Sequence, residues 1–492
     1  MSTSAPASAT PKPKYEVVIG MEVHAELLTK SKQFVASPNL ALAPPNTLVD
    51  PVTLGLPGAM PVLNKAGVDL SLRATLALNC DISRRCFFER KHYFYPDLPK
   101  GYQITQMAQP LGVGGYLEIE LADGTRKKVG MHDVHMEEDT GKSSHGESVG
   151  DPDSSLIDLN RAGIPLLEIV SDPDMRSIEE ADAYMTALRE ILLFAEISDC
   201  KMEQGRLRFE ASVSLREWGA EQYGTRVEVK NLNSMKAVRD SLRAEIVRQT
   251  KVLDRGGVVL QETMLWDEAT GTTQSMRSKE HAHDYRYMPE PDLAPLHIDD
   301  AWLDRVKAEM PELPRAKRAR FTGDLGLSAY DAEVLTAAPN VARYYEEACQ
   351  GAANPKQIAN WVANELLGRL NASGTSIDDA RVSPANLRGL VGLIEDGTIS
   401  GKIAKDVFDE MLETGKEADV VVEEKGLKQM SDTGELEAIC RSVMEKLPKI
   451  VEDYKGGKQK AFGALVGGVM KETRGKANPA LVNEILKKEL GG

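Results

Sequence analysis

The chain changes its periodicity once, near residue 298, and that change limits its fold more than any single motif does. Before it, apolar and polar residues alternate in short runs such as Tyr15–Ile19, Tyr116–Leu121, Leu207–Leu215 and Arg226–Val229. Alternation with period two predicts strands of a mostly antiparallel sheet. Two longer stretches break the alternation and predict helices. One spans Ser177–Phe194, with Glu179 and Glu180 in its first turn; the other spans Ser234–Leu253, capped by Asn233 or Ser234. Beyond residue 298, apolar residues recur at three- and four-residue spacing, as in Pro355–Leu370 and Pro384–Leu393. All eight histidines precede Ile298. The pattern gives an α+β domain followed by helices only.

The expected organisation is a disordered leader at 1–14, an α+β domain at 15–298, a helical domain at 299–412 and a small helical tail at 413–492. The polar stretch Glu413–Gly426 is the expected hinge. After it, Asp432–Leu447, Gly463–Thr473 and Pro479–Leu490 predict a small bundle, the last helix opened by Asn478 with proline at its first position.

Composition excludes several classes. At 492 residues there is room for two to four domains. No apolar run approaches a membrane span, and the Ser/Ala/Pro-rich leader lacks the apolar core of a signal peptide. Five scattered cysteines without a C-x-x-C pair fit a reducing cytoplasm. A net charge of −15 argues against a protein that coats nucleic acid. Residues 426–492, however, hold twelve Lys/Arg against nine Asp/Glu, so this end permits local contact with a phosphate backbone.

Five segments carry chemistry. In Gly20–His24, Glu22 and His24 share one face of a strand and could share a metal or a proton; alone they read more readily as a solvent-facing pair. His135–Lys142 gathers Glu137, Glu138 and Asp139 beside a histidine and a lysine, a set that suits a divalent cation or remains a solvated acidic loop. Its Gly141-Lys142-Ser143 ending resembles a P-loop, but the glycine that motif needs is Met136 here. Arg90–Lys100 interleaves Lys91 and Lys100 with Tyr93 and Tyr95, suiting a nucleotide or an aromatic edge packed on a core. Arg206, Arg208 and Glu210 alternate to one side of a strand that could also be an ordinary outer one. Glu228 and Lys230 run into a helix start, where free N–H groups favour anions. Among lesser candidates, Glu168 is a carboxylate in an apolar run and must be paired or bound. His281, His283 and Asp284 are read as a loop among cations.

Taken together, Gly20–His24, Arg90–Gln103, His135–Lys142, Asp158–Arg161 with Pro165–Val170, Glu228–Ser234 and Asp284–Asp292 resemble the GatB family, the B subunits of aspartyl/glutamyl-tRNA amidotransferases. The likeness runs from about Tyr15 to Leu490. It implies a cradle domain distantly similar to glutamine synthetase, a helical domain and a tRNA-binding tail. It implies ATP and Mg²⁺. It also implies a heterotrimer with an amidase-type partner (the A subunit) and a small third member (the C subunit). Misacylated tRNA is the implied substrate, and the non-discriminating aminoacyl-tRNA synthetase a further partner. The implied reaction phosphorylates the side-chain carboxylate of Glu-tRNA(Gln) or Asp-tRNA(Asn), and ammonia then displaces phosphate.

By that resemblance Glu22, His24 and Glu138 hold the metal, with Glu210 and Glu228 as further ligands or neighbours. Glu138, Lys91 and Lys100 are the expected catalytic residues, the lysines at the mouth of an ammonia channel. Tyr93, Tyr95, Arg206, Arg208 and Lys230 are the expected nucleotide contacts, and Glu137 is expected to face away. Where many family members place zinc thiolates, this chain has Val35, Ser37, Asp50 and Thr53. No zinc is expected, and the loop should be held by apolar packing around Val52, Leu54 and Leu56. Two other functions fit parts of the pattern: a ligase amidating a small free acid, and a tRNA-binding scaffold without activity.

Overall fold

A computed structural model describes residues 14–491 except 41, 147–149, 152, 277–284, 431–432 and 474–475. Most of the leader and the His281–Asp284 segment therefore lie outside the described residues. The chain divides into two compact units after Pro314.

The first unit is built on a sheet of thirteen strands among the described residues. Its middle is the strand Tyr15–Glu26, flanked by Leu207–Glu217 on one side and Pro165–Ser171 on the other. Outward from Leu207–Glu217 come Val227–Lys230, Thr263–Asp267 and Thr272–Ser275. Outward from Pro165–Ser171 come Arg126–Glu138, Tyr102–Thr105 and Glu89–His92. Neighbours along this path run antiparallel except Val227–Lys230 with Thr263–Asp267, a parallel pair joined by a helical crossover.

Alternation sorts the side chains of these strands onto two faces. Met21, Val23, Leu207, Phe209, Ala211, Met136, Leu167 and Ile169 go to one side, where the helices Lys65–Ala77, Ile178–Phe194 and Met235–Asp254 cover them. Val23 lies directly opposite Phe209, and each buries essentially its whole side chain. Burial of this kind contributes about 1.5–3 kcal/mol per large apolar side chain. Both long helices start where the sequence marks them. The Ser177 hydroxyl accepts from the Glu180 amide at 3.1 Å, and that of Ser234, rather than Asn233, accepts from the Ala237 amide at 3.0 Å.

The boundary falls later than the change of periodicity. The helix Asp300–Ala308 sends Leu303 and Val306 into the core of the sheet unit. Its Trp302 Nε1 and Arg305 Nη2 both reach Asp69 Oδ1 on the helix Lys65–Ala77, at 2.5 and 2.7 Å.

The second unit holds two helical cores. The first runs from Phe321 to Val422. Pro355–Leu370 is helical as expected, but with a π-helical stretch at Trp361–Leu366 whose Trp361 ring meets Phe408 edge-on. The expected hinge is instead partly core: Ala418, Val421 and Val422 of the helix Ala418–Glu424 are buried in it. The second core draws on Thr433–Lys446, Lys460–Glu472 and Pro479–Leu490, with Pro448–Lys455 packed alongside. The first core extends to Leu427 and Met430 already packs on the second, so the cores part later than the expected 413. Among the described residues no helix is long and apolar enough to cross a membrane.

The loop at Val35–Thr53 is held by polar contacts rather than by the expected apolar ones. Asp50 accepts from the Thr53 amide and hydroxyl, both at 2.8 Å. The fully buried Lys32 donates to the Leu48 carbonyl at 2.7 Å and stands 3.8 Å from Asp50. Val52 and Leu54 are half-buried and Leu56 is exposed, because the chain turns outward there.

Candidate active site

The face of the sheet turned away from the covering helices, its open face, carries the charges. Register sets one row across three neighbouring strands: His24 opposite Glu168, and Glu168 opposite His135. Glu22 and Glu210 face each other one step along. His24 Nε2 lies 3.3 Å from Glu168, 3.6 Å from Glu137 and 3.7 Å from Glu22. Two sets of donor atoms therefore converge on His24, Glu22 with Glu210 and Glu137 with Glu168, each within 4.8 Å.

Glu137, not Glu138, completes this group. The two are adjacent in an extended strand, so their side chains leave on opposite sides. Thr105 lies opposite Glu137 in the register, which puts Glu137 on the open face with Glu168 and His24. The Glu138 carboxylate instead takes the Ile104 amide at 3.0 Å and a short ion pair from Lys100, both partners being buried.

The other expected site residues divide in the same way. Lys91 sits on the open face, drawn by the charge of Glu137, with its ammonium 5.1 Å over the Tyr285 ring. Glu210 belongs to the cluster and also pairs with Lys230. Glu228 is in neither donor set among the described residues; it adjoins Glu210 and holds Lys230 at 2.8 Å. Arg208 grips Asp139 at 2.7 Å. Arg206 is taken up by Asp199 at 2.8 Å and Glu26 at 3.3 Å, so its guanidinium is bound within the fold rather than offered to a nucleotide. Tyr93 donates to Gln103 at 3.1 Å and meets the rings of Tyr95 and Tyr285 edge-on. Tyr95 is exposed beside a hollow of about 460 Å³ that Phe94, Leu98 and Lys100 also line. A second cavity of about 330 Å³ lies against the acidic group, lined by Gly20, Glu22, Glu210, Tyr223, Arg226 and Glu228.

Charge density shows in the protonation of the cluster. Burial and the charge of Glu168 push Glu22 up to about 7. Burial, then Glu168, also raises Glu137. Burial opposes the imidazolium of His24, yet its hydrogen bond to Glu168 and the charges of Glu168 and Glu137 lift it to about 9. Burial likewise opposes the carboxylate of Glu168, but His135 and His24 hold it well below the usual range. Carboxylates crowded around one imidazole favour a cation among them. Glu137 Oε2 and His24 Nδ1 are buried with no hydrogen-bond partner among the described residues. Hard oxygen donors with a single imidazole fit Mg²⁺ or Mn²⁺.

Three residues of this group are incompletely read from the sequence. Glu137 is expected there to face away, His135 is read only as a member of the His135–Lys142 set that suits a divalent cation, and Asp133 carries no expected role. Yet Asp133, His135 and Glu137 alternate on one strand, and their i, i+2, i+4 spacing is a visible signal.

The model of the GatB/GatE catalytic domain matches residues 17–304, and that of the GatB domain matches residues 343–490. A protein of Carboxydothermus hydrogenoformans, named as the B subunit of an aspartyl/glutamyl-tRNA(Asn/Gln) amidotransferase, is 52% identical over 477 residues, covering 97% of this chain and 99% of the relative. One of the same name from Thermoanaerobacter pseudethanolicus is also 52% identical over 477 residues, with the same coverage. Its namesake from Geotalea uraniireducens is 53% identical over 479 residues, covering 97% of this chain and all of the relative. The chain therefore belongs to the GatB family, the B subunits of aspartyl/glutamyl-tRNA(Asn/Gln) amidotransferases, which are ligases.

Proposed function

We propose that the open face of the sheet activates the side-chain carboxylate of Glu-tRNA(Gln) or Asp-tRNA(Asn) with ATP and Mg²⁺, and then amidates it. The observation that carries this reading is the convergence of Glu22, Glu137, Glu168 and Glu210 on His24. A carboxylate resists ammonia because its charge repels the nucleophile and oxide leaves poorly. Transfer of the γ-phosphoryl group to a carboxylate oxygen gives an acyl phosphate and ADP. Ammonia then attacks the carbonyl carbon, phosphate departs with the bonding pair, and the nitrogen loses a proton.

His24, Glu137 and Glu168, with Glu22 and Glu210 beside them, are the residues that would hold Mg²⁺. When bound, the ion would neutralise charge building on the transferring phosphoryl group. Lys91 adds positive charge on the same face, and Lys230 is fixed there by Glu210 and Glu228. The cavity beside Glu22 and Glu210 offers room for a nucleotide, with Tyr223 and Arg226 on its wall. Lys100 lines the hollow at Phe94–Gly101, the side on which we set the entry of ammonia.

Supply of that ammonia falls to an amidase-type partner (the A subunit) in a heterotrimer with a small third member (the C subunit), because a glutaminase needs an activated nucleophile. All five cysteines here are free thiols, and none is exposed. The mildly basic tail is the proposed tRNA contact, the synthetase a further partner, and the cytoplasm the compartment.

The test is the whole heterotrimer given ATP, Mg²⁺, glutamine and Glu-tRNA(Gln), followed for amide and ADP. Both products should form and both should fall away in Glu137→Gln. Equal turnover of free glutamate would favour the small-acid ligase. Activity untouched by Glu137→Gln would overturn the site.

A further inference from the structure

Glu168 is shared by two histidines from the strands on either side of it. Its Oε2 lies 3.3 Å from His24 Nε2 and 3.2 Å from His135 Nε2. The other ring nitrogen of His135, Nδ1, lies 2.6 Å from Asp133 Oδ1. Both ring nitrogens therefore face carboxylate oxygens within the fold. His135 belongs to neither set of converging donors among the described residues. Asp133, His135, Glu168 and His24 form one unbroken line across three strands, buried at His135 and Glu168. A buried histidine wedged between two carboxylates, one of them a candidate metal donor, is costly to assemble unless it fixes something.

We propose that Asp133 and His135 are positioning residues that lock the Glu168 carboxylate toward His24 and so set the affinity of the site for its divalent cation. The proposal rests on the reading of His24, Glu137 and Glu168 as cation ligands. Glu168 sits mid-strand in Pro165–Ser171, and its long side chain has rotamers to lose. The His135 clamp removes that freedom before a cation arrives. Partners of this kind typically change metal affinity about 10–100-fold.

The test titrates the full-length, metal-free chain with MnCl₂ and follows free Mn²⁺ by electron paramagnetic resonance. Asp133→Ala and His135→Leu should each weaken binding about 10–100-fold. Asp133→Asn still offers an oxygen to His135 Nδ1 and should recover to within a few-fold of the parent. The double variant should bind no worse than the poorer single one, since both act through one line of contacts. Thermal melts of the metal-free proteins separate loss of fold from loss of affinity. Parent-like binding by well-folded Asp133→Ala, or fully additive losses, would overturn the positioning role. Failure of the parent chain itself to bind Mn²⁺ would instead overturn the metal reading on which it rests.

Discussion

The two faces of the central sheet share the same strands and follow opposite rules. On the helix-covered face, Val23 and Phe209 meet as neighbours whose energy comes from leaving water. On the open face, one position along each strand, His24 and Arg208 meet among carboxylates whose repulsion costs energy in the absence of a cation. One residue of register separates a side chain that holds the fold from one that handles substrate. Glu137 and Glu138 make the contrast sharpest, since they are chemically identical and adjacent.

Substitutions can break that contrast in order of size. Phe209→Ala should remove about 3–5 kcal/mol of stability through the cavity it leaves, read by chemical denaturation. Glu138→Gln strands the buried Lys100 ammonium and should lose about 3 kcal/mol of stability, visible as a lower melting temperature before any assay of activity. Glu137→Gln should do the reverse. Its carboxylate is already disfavoured by burial and by Glu168, so the metal-free chain should melt close to the parent. Amidation by the complex should nevertheless drop roughly 100- to 1,000-fold, as when a group that stabilises transition-state charge is removed. A Glu137→Gln protein that unfolds, or a Glu138→Gln protein that melts like the parent, would reverse the assignment of faces.

Acidity offers a milder probe. His24 is raised from its ordinary 6.5 to about 9 by Glu168 and Glu137 against the pull of burial. The metal-free fold has that support in full below about 6.5 and loses it as pH rises through about 9. A cation must displace the same proton, so Mn²⁺ affinity should climb over this window while metal-free stability declines. Calorimetry in buffers of different ionisation enthalpy should register proton release on binding; none at about pH 7 would contradict the assignment. The smallest effect belongs to the helix-covered face: Ser234→Ala should cost about 1 kcal/mol through the lost cap of Met235–Asp254, measured by urea denaturation.

Much of this is legible in the chain. Period two puts Glu22 with His24 and Arg208 with Glu210, and hydroxyl caps mark both long helices of the sheet unit. Adjacent glutamates are not resolvable from sequence, because only pairing with Pro165–Ser171 and Thr105 decides which one faces the open side. Glu168 announces itself as a carboxylate among apolar neighbours, but its two histidine partners come from other strands. Arg206 looks available because its partners Asp199 and Glu26 lie on separate segments. The stretch 413–426 reads as a hinge because its apolar residues, Ala418, Val420, Val421 and Val422, are few and most of its other positions charged, which is also how a short surface helix looks.

The helix Asp300–Ala308 bears on how this protein could be taken apart. It closes the sheet unit as a stopper, with Leu303 and Val306 pressed inward and Trp302 and Arg305 latched to Asp69. A gene fragment ending at Ile298 would uncork an oily strip and invite clumping, whereas one ending at Pro314 keeps the seal and should yield a freely dispersed piece.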